Sequence, residues 1–292
     1  MVVMSSNVYS LKLTSSQEDT LFKTWKEKAV KPPQYAKWAL KCENCNITCY
    51  TSGKTVFQGK DAYIYASPFL SEEQIIDNQL SNDIFPQAGS DEVGTGDYFG
   101  PVVVCGCIVT SETNDILKKL GVRDSKQLKD EDILKIGPTI LKNVPHSILI
   151  VNNEKYNEVH QTNNLNEIKS KLHNQVYVHL RRKYGLPEFK IIDQFTPESS
   201  YYRYLKNEPL VISGIHFETK AEDKYPSVAA ASVLARYTFL KEWEKMEKKY
   251  DMTFQKGAGS KVDTCAKEFI NKYGKDELSK VAKLHFKNTE KL

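Results

Sequence analysis

Four short apolar runs limit what this chain can fold into. "PVVVCGCIVT" (101–110), "SILIVNN" (147–153), "FKIIDQF" (189–195) and "LVISGIHF" (210–217) each have strand length, and none approaches a membrane span. Segments of helical period lie among them. Leu165, Ile168, Leu172, Val176 and Leu180 recur at three- and four-residue spacing. "SVAAASVLARYTFLKEWEKMEKKY" (227–250) reads as a second long helix, alanine-rich first and charged later. Strands mixed with helices from residue 87 onward predict an α/β domain whose sheet is covered.

The first 66 residues have a different texture, that of a small α+β unit. "SSQE" (15–18) has capping-box spacing, and Leu21, Phe22 and Trp25 give the following helix an apolar face. "KPPQ" (31–34) stops it. "NITCYTSGKTVFQG" (46–59) reads as two strands around a turn at 52–54, with Ile47 and Cys49 on one side and Thr48 and Tyr50 on the other. "AYIYA" (62–66) reads as a further strand, and the polar stretch that follows as a connection with a short helix from Ser71. The expected division is a domain at 1–66, a linker at 67–86 and a second domain at 87–292.

Hydrophobic content of 40% and charged content of 27% are those of a soluble globular protein. The N-terminus lacks the features of a secretory signal, so the chain reads as cytoplasmic. The net charge of +4 is unevenly spread. Residues 1–70 carry nine lysines against five acids, residues 254–292 again nine against five, and the middle is left at −4. Basic ends around an acidic centre fit a polyanion gripped at its flanks. The six cysteines include a Cys42-x2-Cys45 pair, but no second pair follows at zinc-finger spacing, and reduced thiols are the simpler reading.

The acids fall where chemistry is expected. Asp193 ends the apolar run "FKIID", where an ionised carboxylate is costly unless it is paired or bound to a metal. Asp91 and Glu92 sit in "GSDEVGTGDYFGP" (89–101), and Glu218 and Glu222 lie between a strand and the alanine-rich helix. Such acids, gathered at one edge of a sheet, repel one another and call for a hard divalent cation. Successive strand residues face opposite ways, so Asp91 and Glu92 share a site only if the chain leaves the strand there, which Gly94 and Gly96 permit. The glycines do not form a dinucleotide loop: the spacing is G-x-G-x-x-x-G and a strand follows, not a helix. Tyr98, Phe99 and Pro101 read as packing, and the six histidines show no metal-ligand spacing.

"DEVGTGDYFGPVVV" (91–104), "GVRDSKQL" (121–128), "NNLN" (163–166), "IIDQF" (191–195), "TKAE" (219–222), "VAAASVLAR" (228–236), "KGAGSKVD" (256–263) and "KLHFKNT" (283–289) stand in the order found in bacterial ribonuclease HIII. The resemblance to that family runs from about residue 43 to the C-terminus. It implies an RNase H-like catalytic domain, a mixed β-sheet flanked by helices, behind a small N-terminal α+β domain similar to the TATA-box-binding protein. The implied activity is endonucleolytic cleavage of the RNA strand of RNA/DNA hybrids, leaving 5′-phosphate and 3′-hydroxyl ends. Carried over by position, Asp91, Glu92, Asp193 and Glu222 would bind two ions, Mg²⁺ or Mn²⁺. Glu222 is chosen over Glu218 for its distance to "AAAS". Backbone groups of Gly94, Thr95 and Gly96 would sense ribose, and Lys126 and Lys256 would contact phosphates.

Two departures separate the chain from ribonuclease HII: Thr95 stands in place of an arginine, and Ala258 in place of a tyrosine. They argue against efficient cutting at a single embedded ribonucleotide. The alternatives are a ribonuclease HII-like enzyme that does cut there, another metal nuclease on this fold, and a non-catalytic hybrid-binding module. A monomer without membrane contact is expected, with residues 1–66 as a hybrid-binding platform.

Overall fold

The structure, a computed structural model, describes residues 8–59, 61–70, 84–122 and 128–292. Two compact units divide the chain, Met1–Asn82 and Asp83–Leu292.

In the first unit, strands β1 (Val8–Lys12), β2 (Ala29–Val30), β3 (Ala36–Cys42), β4 (Cys45–Tyr50) and β5 (Lys54–Gln58) form an antiparallel sheet in the order β1-β5-β4-β3-β2. Ile47 and Cys49 are fully buried while Thr48 and Tyr50 are half-exposed, the alternation expected of β4. Helix α1 (Ser15–Thr24) packs Leu21, Phe22 and Trp25 into the core with Tyr9, Leu11, Leu40 and Phe57. Its cap lies one residue earlier than the sequence predicts. Thr14 is the N-cap, and the Gln17 side chain returns the bond to the Thr14 N–H at 2.9 Å.

"AYIYA" is a helix, α2 (Ala62–Ala66), and not a strand. Ala62 and Ala66, one helical turn apart, are both fully buried against the sheet, a spacing that a strand would serve as well. The 67–86 linker is also corrected, because Phe69 and Leu70 join the core of the first unit. The helix expected from Ser71 lies outside the described residues. All six cysteines are free and buried, and burial pushes the Cys45 thiol up to about 11, far from the thiolate that a zinc site requires.

The second unit is built on a mixed sheet of β6 (Gln87–Val93), β7 (Val102–Val109), β8 (His146–Val151), β9 (Phe189–Asp193) and β10 (Ile215–Glu218). The order is β10-β9-β6-β7-β8, parallel across β10, β9 and β6, and antiparallel across β6, β7 and β8. Helices α3 (Ser111–Lys119), α4 (Asp130–Asn143), α5 (Asn153–His160), α6 (Leu165–Tyr184), α7 (Glu198–Tyr204), α8 (Pro226–Tyr250) and α9 (Ser260–Tyr273) surround it. α8 crosses β6 and β7 on one face, and α6 packs Val176 and Leu180 over β7 from the other. Every residue of β7 is buried, as its unbroken apolar run requires.

The start of α8 is stitched to the start of β6. The backbone N–H and the hydroxyl of Ser227 both donate to Gln87 Oε1, at 3.2 and 2.9 Å. Only the end of "LVISGIHF" is a strand. Asn174 takes the Ile212 N–H and donates to the Leu210 carbonyl at 2.7 Å, and Gly214 turns at φ +67°, so 210–214 runs as irregular chain.

Candidate active site

The central strand outruns its parallel neighbour. β6 pairs with β7 as far as Val93↔Val103, but its ladder with β9 ends at Ser90↔Ile192. Asp91 and Glu92 therefore lie on β6 just beyond its pairing with β9, and Asp193 is the last residue of β9 beside it. The expectation that the chain leaves the strand at the paired acids is corrected: both remain in β6, with the register Asp91↔Cys105 and Glu92↔Val104. They consequently point to opposite faces. Asp91 meets Ser232 of α8, and Glu92 meets Lys169 and His173 of α6.

Asp193 Oδ1 accepts the backbone N–H of Ala221 at 2.9 Å, which ties the short 3-10 turn Ala221–Asp223, and Glu222 on it, to the end of β9. Glu218, opposite Asp193 on β10, is engaged elsewhere. Lys224 Nζ donates to it at 2.5 Å and His216 lies at 3.5 Å. Burial would raise the Glu218 carboxyl, but His216 and Lys224 outweigh it and hold the group below its ordinary value.

The electrostatics record carboxylates crowded together. Asp91 is raised to about 8, by burial first and then by the charges of Glu92 and Asp193. Asp193 is raised by burial, with Glu222 and Glu92 adding to the effect. Burial would raise Glu92 as well, yet its bonds to His173 and Lys169 prevail and lower it. Among the described residues no trio of His, Cys, Asp or Glu is already closed into metal-holding geometry. The donor chemistry nevertheless fits hard divalent cations: carboxylates from separate segments, buried enough that their mutual repulsion shifts two of them upward.

The turn after β6 separates the roles of its glycines. Gly94 has φ +94°, and a Cβ there would lie 2.2 Å from the Pro101 carbonyl oxygen. Gly96 adopts no such conformation, and a Cβ there would meet nothing within 4 Å, so it leaves backbone open to approach from outside. Tyr98 and Phe99 are fully buried and pack edge to face. The turn is laced to the "KGAG" loop: Gly257 N–H donates to Asp97 Oδ1 at 2.6 Å, and Tyr98 N–H to the Gly257 carbonyl at 2.9 Å.

Of the two lysines singled out in the sequence, Lys126 lies outside the described residues. Lys256 is exposed and shares Asp130 with Arg236, the two cations donating to that carboxylate from 2.6 Å. Three residues at the site were assigned no role from the sequence: Lys169, His173, and Lys283, which only opens the "KLHFKNT" run. The first two flank the apolar stripe of α6 and read as its polar edge.

Lys283 is fully buried and donates to the carbonyls of Gly100 at 2.5 Å and Asp97 at 2.8 Å, fixing the loop behind Gly94. Burial pushes its ammonium down to about 7. In the unfolded chain it titrates at 10.5, so between about 7 and 10.5 the unfolded state binds more protons and stability rises with pH. Asp91 and Cys45, both raised, pull the other way below about pH 8 and above about pH 9, so the test is a comparison. Between about pH 8 and pH 9 the slope of thermal stability against pH is expected to be more positive in the wild type than in Lys283→Met. A variant with the unchanged slope would refute the assignment.

A mixed sheet with a long central strand, helices on both faces and acids at the strand ends defines the RNase H-like class of nucleases. The ribonuclease HII family profile matches residues 88–289, and a domain of unknown function (DUF3378) matches residues 9–81. The chain belongs to the ribonuclease HII family, with ribonucleases HIII as its relatives, and is an endoribonuclease. It is 42% identical to ribonuclease HIII of Bacillus cereus (strain AH187) over 278 residues, 89% of each chain. The identity to ribonuclease HIII of Listeria monocytogenes serotype 4b (strain CLIP80459) is also 42%, over 275 residues and 89% of each chain. The crystal structure of Bst-RNase HIII in complex with Mn²⁺ is similar at a TM-score of 0.71 and 37% identity, over 97% of both chains.

Proposed function

We propose that the chain cleaves the RNA strand of RNA/DNA hybrids, with Asp91, Glu92, Asp193 and Glu222 as ligands of two divalent ions, Mg²⁺ or Mn²⁺. The single observation that carries the site is geometric: Asp91 on β6 and Asp193 at the end of β9 stand side by side where the two strands part, with Glu222 on the turn tied to Asp193. Held by these four carboxylates, two such ions would supply an activated water and charge stabilisation at the leaving 3′-oxygen, chemistry that gives 5′-phosphate and 3′-hydroxyl ends.

The chain's own residues do the rest. Asp91 and Glu92 approach from opposite faces of β6, Asp193 from the end of β9, and Glu222 from the turn held by Asp193. Together they balance the charge of ions and scissile phosphate. The backbone of Gly94, Thr95 and Gly96 touches ribose 2′-hydroxyls, the atom that distinguishes RNA from DNA. Lys256 and Lys126 contact phosphates, and Lys256 exchanges Asp130 for the incoming anion. With Thr95 and Ala258 where ribonuclease HII has an arginine and a tyrosine, the enzyme prefers runs of ribonucleotides. Among the described residues no helix is long and apolar enough to cross a membrane. A cytoplasmic monomer acting on hybrids is the reading that fits this set.

The test is a cleavage assay on a hybrid, a duplex with one embedded ribonucleotide and an all-DNA duplex, each with Mg²⁺ and with Mn²⁺. Cutting of the hybrid alone is expected. Robust nicking at the lone ribonucleotide would move the assignment to a ribonuclease HII-like enzyme, and equal cutting of DNA would remove 2′-hydroxyl sensing. Gly96→Ala probes that sensing separately. Its side chain meets nothing in the protein, so stability should stay within about 0.5 kcal/mol. Hybrid kcat/KM should nevertheless fall roughly tenfold, because the added methyl keeps the ribose from the backbone at a cost of about 1.4 kcal/mol.

A further inference from the structure

Both oxygens of Glu92 already have a partner. His173 Nε2 lies 2.8 Å from Oε2, and Lys169 Nζ donates to Oε1. Lys169 is 8% exposed, a burial that lysine rarely undergoes unless paired. The two partners stand four residues apart on α6, the spacing that lets both reach one carboxylate. Each oxygen keeps a further lone pair for an ion, but an ammonium held on the same carboxylate stands close to that ion and repels it.

We propose that Lys169 is a positioning residue, a cation built into the carboxylate cluster that holds Glu92 before an ion arrives and yields it when one binds. The proposal rests on the ion-ligand role of Glu92. His173 is the fixed partner: it is fully buried, its other ring nitrogen is 2.8 Å from Ser90 Oγ, and its ring stacks on Phe195 at 5.2 Å. Lys169 is the one that can move. Its ammonium sits on a flexible four-carbon stem and already lies 4.0 Å from the centroid of the Phe195 ring, a second resting place that keeps the charge stabilised once Glu92 is released.

The energetic consequence has a definite sign. A bond made only in the ion-free protein opposes ion binding by its own free energy. The ammonium, left close by after release, also repels the ion. Lys169 thus stabilises a cluster that would otherwise repel itself, at the expense of ion affinity. If Lys169 instead oriented Glu92 for the ion, removing it would weaken binding, and if it merely filled space, binding would not change.

The experiment is calorimetric titration of Mn²⁺ into the full chain freed of metal, comparing wild type with Lys169→Met and Lys169→Gln. Thermal unfolding is measured alongside in EDTA and in saturating Mn²⁺. Mn²⁺ affinity is expected to rise on the order of tenfold in both variants, as loss of a charged hydrogen bond predicts. The unfolding temperature in EDTA should fall, and the gain on adding Mn²⁺ should grow. Unchanged or weaker Mn²⁺ binding in both variants overturns the proposal. Asp193→Asn, titrated in parallel, tests the foundation: if it binds Mn²⁺ like wild type, the carboxylates are not the ligands and the failure lies there, not with Lys169.

Discussion

Asp193→Asn is expected to lower hybrid cleavage by about a thousandfold or more while leaving the protein at least as stable as before. The substitution keeps an oxygen for the Ala221 N–H, so the turn carrying Glu222 stays tied to the end of β9. What it removes is one negative charge of the set proposed to hold the ions. Ion-borne charge stabilisation in phosphoryl chemistry is worth several kcal/mol, and each 1.36 kcal/mol is tenfold in rate, hence the magnitude. Stability should move the other way. The Asp193 carboxyl is raised, by burial first and then by Glu222 and Glu92, so the folded ion-free protein disfavours the charge that the mutation deletes. Single-turnover cleavage with saturating Mg²⁺, paired with unfolding temperatures in EDTA, checks both halves. Near-normal cleavage would remove Asp193 from the chemistry, and a variant that unfolds at low temperature would make the lost rate uninformative. A gain in stability joined to a loss of rate is the pattern of a site held under electrostatic strain for function.

How far this site could be read from the chain depends on what kind of signal each residue leaves. Asp193 and Asp91 stand out because a carboxylate at the end of an apolar run contradicts its surroundings, and that contradiction survives without coordinates. The long helix α6 is legible because its apolar residues repeat with one period over about five turns, β7 because its apolar run is unbroken and of strand length, and α8 from its alanine-rich length. Lys169 and His173 leave no such mark. They lie beside the apolar positions 168, 172 and 176 of α6, where polar residues normally meet water, and only the tertiary fold turns that flank toward Glu92. Lys283 is hidden likewise, since its acceptors are backbone carbonyls some 180 residues away in sequence, which no side-chain pattern reveals. The misread elements are short. Five residues of "AYIYA" satisfy helix and strand equally well, and the side chain of Asn174 decides the path of 210–214 from far along the chain. The paired acids were legible as a site, but not the way they share it. One strand presents them to two faces, and the site is assembled where its neighbour ends.

Removing the first unit is expected to raise KM for hybrid about a hundredfold and to leave kcat within a few-fold. The unit has its own core, and among the described residues its helices pack on one face of the sheet. α1 and α2 pack with Tyr9, Leu11, Leu40, Ile47 and Phe57, and alternation sends Lys12, Lys41, Asn46, Lys54 and Gln58 to the opposite side, where all five are exposed. Three lysines and two amides on a sheet surface suit a phosphate backbone approached from one side, with the amides free to donate or accept. Two binding surfaces on one chain make the second binding step intramolecular, and such linkage contributes a factor of about 10² to 10⁴ without touching the chemistry. The cut belongs after Asn82 and not after residue 66, because Phe69 and Leu70 pack in the first core and would otherwise be left as an apolar stub. The salt dependence of KM separates a platform from an appendage: log KM should climb more steeply with log salt in the whole chain than in the truncated one, by roughly one unit of slope for each phosphate that the first unit neutralises. Equal KM and equal slope in the two proteins would reduce the unit to a stabilising attachment. A fall in kcat that exceeds the change in KM would show instead that it acts on the carboxylate site.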